Sequence, residues 1–142
     1  MAAVEFAVAA PVFLFFLGGV VDFGLAYVGQ SRLSAGVAAG AEYAILTGAS
    51  VTQDNIQTIV QNATGLSHLT VAVTGLSPTA CYCVSGTPPA VASATCGSTC
   101  ANGARAGTYA FITATYAYQP IMPAYSHLTS PSIVESATVQ IQ

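Results

Sequence analysis

A chain of 142 residues holds one domain with a modest core and leaves little for a second. Only 5% of it is charged (Glu5, Asp22, Arg32, Glu42, Asp54, Arg105 and Glu135), against about 25% in soluble domains. The net charge of −3 and the absence of Lys exclude a basic footprint for nucleic acid; so little charge points to a surface kept against lipid or against copies of the chain itself.

From Met1 to Val21 every side chain is apolar or glycine except Glu5. About 20 such residues cross a hydrocarbon core of ~30 Å. A carboxylate inside such a run is costly, roughly 2.5–3.5 kcal/mol at the centre, so Glu5 needs a use. A secretory signal would carry a basic region first, and an anchor usually shows a basic orientation signal. Removal of a basic leader, which would make Met1 a mature end, explains the missing positive charge; the other reading is an initiator methionine.

The helical pattern continues to Thr47 and meets a terminating glycine at Gly48. A helix from Ala2 to Thr47 would be about 70 Å long. Pro11 removes one of its hydrogen bonds and Gly18–Gly19 weakens it, so a kink or partial unwinding is expected at one of these sites. Gly36 and Gly40 are four apart and admit a second backbone. Leu33, Val37, Ala41, Ala44 and Ile45 form a stripe able to carry a folded domain, while Arg32, Gly36 and Tyr43 fall on other faces, open to neighbours. The chain thus divides into a stem, 1–28, and a head, 29–142, that includes the second half of the helix.

A short helix reads from Thr52 to Ala63, with Ser50 and Gln53 resembling a capping box, Ile56, Ile59, Val60 and Ala63 as its buried face, and Gly65 as its stop. The period then changes to two. Strands are expected over 69–74, 108–119 and 132–142, with Ile133, Ala137, Val139 and Ile141 on one face of the last. Glu135 falls among these inward positions or at an exposed strand end. Tyr109, Phe111, Tyr116 and Tyr118 read as core and sheet-face residues; Pro120, Pro123 and Pro131 bound the loop between the last two strands. The fold class is α+β: one long hydrophobic helix with a small antiparallel sheet on its C-terminal half.

Cys81, Cys83, Cys96 and Cys100 are spaced C-x-C and C-x3-C. A four-cysteine zinc site favours paired C-x2-C knuckles; an even cluster in a tethered, loop-rich chain favours two disulfides. If 81–100 folds back as an irregular hairpin, the nested pairs Cys83–Cys96 and Cys81–Cys100 are expected over the crossed ones. His68 and His127 sit in no nucleophile, metal or acid–base motif, no phosphate loop appears, and N-A-T at 62–64 is a weak glycosylation signal. No catalytic residue, metal or cofactor is therefore assigned.

These parts together, and the run "AAVEFAVAAPVFLFFLGGVVDFGLAYVGQSRL" leading into "GAEYA", resemble the TadE-like pilins of tight-adherence (Tad) systems, a branch of type IV-like pili. Glu5 and Phe6 match the Glu–aromatic pair that follows cleavage in that family, and "YAYQPIMP" is similar to its C-terminal half. The resemblance implies cleavage just before Met1 by a prepilin peptidase. An assembly ATPase and an inner-membrane platform would then lift subunits from the inner membrane, head in the periplasm, into an extracellular homo-oligomeric filament for adhesion. It equally admits a minor pilin or pseudopilin that primes or caps another filament; a membrane-anchored periplasmic binding module is the remaining alternative. Physically, a freed α-amine at Met1 is cationic below about pH 8 and lies about 6 Å along the helix from Glu5. A neighbour displaced by that distance would set its Met1 amine level with Glu5, making the carboxylate a register pin. The alternative is a Glu that reaches back to the headgroups near a helix end.

Overall fold

The computed structural model describes residues 2–87, 89–122 and 132–141; Met1, Pro123, His127 and Pro131 lie outside them. One helix, α1 (Ala2–Thr47), carries everything else. It leads through a 3-10 turn (Gly48–Ser50) into α2 (Gln53–Thr64), and five strands follow: β1 (Leu69–Thr74), β2 (Cys81–Ser85), β3 (Ala90–Ala94), β4 (Tyr109–Ala117) and β5 (Ser132–Gln140). The strands form an antiparallel sheet in the order β1-β4-β5 and a separate hairpin, β2-β3. This is the α+β arrangement expected from the sequence.

Of the kink or partial unwinding expected at Pro11 or Gly18–Gly19, no unwound turn is present, since α1 is helical through both. Proline removes a single hydrogen bond from a helix of 46 residues, and the turns on either side hold the ladder. The glycine serves another purpose, because a Cβ on Gly18 would collide with the Met122 sulfur. The cap of α2 also differs from expectation. Thr52, extended just before the first helical residue, accepts the Asn55 N–H at 3.4 Å, whereas Ser50 lies in the 3-10 turn and donates to the Thr47 carbonyl. Gly65 ends α2 in the left-handed region at φ 59°, which glycine adopts without a Cβ clash.

The core lies between α1, α2 and the inner face of the sheet, built from Leu33, Val37, Ala44, Ile56, Val60, Val71, Val73 and Ile112. Ala41 belongs to it, whereas Ile45 on the expected stripe is exposed. Gly36 and Gly40 are the floor on which α2 rests. A Cβ on Gly40 would lie 2.6 Å from Val60 Cγ2, and one on Gly36 would be 3.1 Å from the Val60 carbonyl oxygen. The row facing them is Ile56, Val60 and Thr64, four apart; Ala63 is exposed and Ile59 half-buried. In β4 the inward residues Ala110, Ile112 and Ala114 are fully buried. Phe111, on the opposite face, packs edge-on against Tyr82 at 5.4 Å and so joins the hairpin to the sheet.

The four cysteines form two disulfides, but crossed: Cys81–Cys96 and Cys83–Cys100. The nested pairs Cys83–Cys96 and Cys81–Cys100 are therefore corrected. The register explains why. Cys81 stands opposite Ala94 and Cys83 opposite Ala92, so Cys96 emerges at the open end of the hairpin, beside Cys81. The chain then turns at Gly97 (φ 76°) and makes a second small loop, bridged at Thr99 and Arg105. Asn102 Nδ2 donates to the Val84 carbonyl at 3.2 Å, which draws Cys100 up to Cys83. A single fold-back, as read from the spacing, lacks this second reversal.

Partial reduction and peptide mapping should recover Cys81 linked to Cys96. Replacing Cys83 and Cys100 together by Ser should lower head stability in urea by about 3 kcal/mol, the chain-entropy cost of a loop of this size. Gly36→Val should destabilise the same head by roughly 1–3 kcal/mol through overpacking against α2.

Candidate functional site

The first half of α1 is almost bare. Phe6 is 74% exposed and Leu14 65%, and large apolar side chains from Val4 to Val28 surround the helix. By length and composition α1 can cross a membrane. Glu5 lies in the first turn, exposed beside Phe6, where its negative charge suits the helix N-terminus. Pro11 is exposed, Gly18 half-buried and Gly19 buried.

One face of this stem is covered, and a carboxylate holds the cover in place. Asp22 is 1% exposed. The Ile121 N–H donates to its Oδ1 at 2.7 Å and the Met122 N–H to its Oδ2 at 3.1 Å. The Tyr118 hydroxyl donates to the Asp22 backbone carbonyl at 2.7 Å and lies 3.3 Å from Oδ1. Both carboxylate oxygens are thus satisfied by neutral donors, with no cation among these partners, which is how a buried charge is tolerated. The segment Tyr118–Met122 becomes a strap that ties the end of β4 to the stem, with Met122 seated at Gly18 one turn nearer the N-terminus.

The strap continues a seam along the helix. Successive inward residues of β4 and its extension meet progressively earlier positions of α1. Ile112 lies near Gly40, Tyr116 packs where a Gly29 Cβ would stand (Cε1 at 2.9 Å), and Tyr118 reaches Asp22. Tyr116 and Tyr118 meet edge-on at 6.4 Å. Beside this seam, Gln30 Nε2 donates to Glu135 Oε1 at 3.4 Å, so Glu135 of β5 is half-buried against α1.

Burial pushes the Tyr118 phenol above its usual value near 10, and the adjacent Asp22 charge adds to the rise. The fold therefore prefers the neutral phenol. Its contribution is complete below the unfolded pKa of about 10 and is lost as pH climbs through the raised folded value.

Sequence reasoning gave Asp22 no role. The one local signal is that Gly18 and Asp22, four residues apart, share a helical face. The partner segment is remote, about 100 residues along the chain, and no local pattern couples the two.

Residues 1–42 match the family model described as TadE-like protein. The match takes in Glu5, the Gly18–Asp22 anchor and the glycines that receive Tyr116 and α2. No curated protein and no solved structure matches the chain.

Asp22→Asn presents an N–H to one of the two strap amides and should cost about 1–3 kcal/mol of head stability, the range for an unsatisfied buried donor. Hydrogen exchange should show the Ile121 and Met122 amides losing protection first. Tyr118→Phe should cost about 1 kcal/mol at neutral pH and flatten the loss of stability above pH 10, measured by urea denaturation at a series of pH values.

Proposed function

We propose that this chain, TadE-like over residues 1–42, is a structural pilin subunit that polymerises through α1 into an extracellular Tad-type filament, with adhesion as its purpose. The observation that carries the reading is the bare stem. From Val4 to Val28 large apolar side chains lie exposed on α1, while the head is folded, disulfide-linked and confined to one side of the helix. Such a surface is stable only in lipid or against other apolar helices. The two environments correspond to two stages: a span in the inner membrane with the head in the periplasm, then a helical bundle of stems with the heads outward. The resemblance supplies the partners for the transfer, namely a prepilin peptidase, an assembly ATPase and an inner-membrane platform.

Glu5 has a defined task in this scheme. It pairs with the α-amine at Met1 of a neighbouring copy displaced by about 6 Å, four helical residues. In a dry bundle the pair offsets the desolvation of two charges and fixes axial register more than it adds stability. Phe6, exposed beside it, packs into the same bundle.

Wild-type cells should release the chain as filaments on shearing, and cryo-electron microscopy of that fraction should show α1 in the core. Glu5→Ala should leave the subunit membrane-inserted while removing most of the filament yield, and Glu5→Asp should fall between. A normal yield from Glu5→Ala would remove the register pin; a wild-type chain that stays with the membrane on shearing would remove the filament reading.

A further inference from the structure

We infer that the strap Tyr118–Met122 is a second membrane contact, which rests on the outer boundary of the hydrocarbon with Ile121 in lipid while the subunit awaits assembly. The inference rests on the reading of α1 as a membrane span. Asp22 follows Glu5 by 17 residues, an axial rise of about 26 Å at 1.5 Å per residue, close to the ~30 Å of a hydrocarbon core. With Glu5 at one boundary, Asp22 arrives at the other. The strap is fastened at that height: Ile121 and Met122 bond to Asp22, and Met122 reaches one turn deeper to Gly18.

The composition and bonding of the strap suit that place. Ile121 is 67% exposed although it is apolar and bonded to the stem. Lipid tolerates no unsatisfied backbone donor, and this segment brings none across three consecutive residues. Pro120 has no N–H, and those of Ile121 and Met122 end on the Asp22 carboxylate. The Tyr118 hydroxyl is likewise satisfied. No Asp, Glu, Lys or Arg lies between Arg105 and Glu135 in the sequence, so seating the strap desolvates no free charge. The buried Asp22 thus does two things: it holds the strap and takes up the two N–H donors that the strap would otherwise carry into lipid. Two contacts, stem and strap, then set the height and tilt at which the head stands on the membrane.

The chain contains no Trp, so single tryptophans report their surroundings without background. The full-length protein is reconstituted at low protein-to-lipid ratio into phosphatidylcholine vesicles with brominated acyl chains. Three variants form a ruler: Phe13→Trp on the stem, Ile121→Trp on the strap and Val91→Trp on the hairpin, all at exposed positions. The expected result is blue-shifted emission and loss of most intensity for Phe13→Trp and Ile121→Trp, with Val91→Trp unaffected. Gln119→Trp, also exposed, provides a second strap position should Ile121→Trp fail to form its disulfides. If the strap tryptophans behave like Val91→Trp while Phe13→Trp is quenched, the strap is off the membrane and the inference falls, leaving the span intact. An unquenched Phe13→Trp overturns the span and the inference together. Strap quenching that appears only at high protein density marks a neighbouring copy as the occupant and also overturns it.

Discussion

The architecture turns on one buried carboxylate. Asp22 follows directly on the uninterrupted apolar stretch of the stem that ends at Val21, shielded from water, and it is held by the N–H groups of Ile121 and Met122. Hydrogen bonds from neutral donors to an ionised acceptor are shorter and stronger than neutral ones, and here they substitute for a cation in a chain whose only Lys or Arg side chains are Arg32 and Arg105. Because both donors belong to the extension of β4, the carboxylate fixes where that strand finishes. With its end fixed, β4 runs down α1 along a single line, and its neighbours β1 and β5 are placed by the ladder on either side.

Along that line α1 supplies absence rather than bulk. Gly18 receives Met122, Gly29 receives Tyr116, and Gly36 and Gly40 receive α2. Glycine in a helix interior costs up to about 1 kcal/mol relative to alanine, and close packing of large partners offsets it. The other faces of the same helix carry Phe, Leu and Val outward. One helix is therefore written for two neighbours: a narrow strip of small residues for its own head, and the remaining circumference for lipid or for other stems. This division seats the head fully while leaving most of the apolar surface of the stem uncovered.

The disulfide hairpin is a separate small unit on the outer side of the sheet. Its own core is little more than Cys81, Cys100 and Ala106, too small to hold a two-stranded ribbon in water. Two crossed bridges and the Tyr82–Phe111 contact take that role.

Local pattern alone determined much of this protein. The apolar run and Gly48 set the length of α1; the Gly65 stop ended α2; β-branched and aromatic alternation placed β1, β4 and β5 within a residue or two. Each is a property of neighbouring residues, governed by periodicity and by the conformational limits of glycine and proline. Only the tertiary structure decided the rest. It decided that Gly18 is a docking notch for Met122, because a glycine's effect depends on what fills the space beside it. It decided the crossing of the disulfides, which depends on a second chain reversal at Gly97 and on Asn102 reaching Val84. And it gave Asp22 its meaning, since the donors that hold this carboxylate come from the far end of the chain, and long-range hydrogen bonds leave no local mark in a sequence.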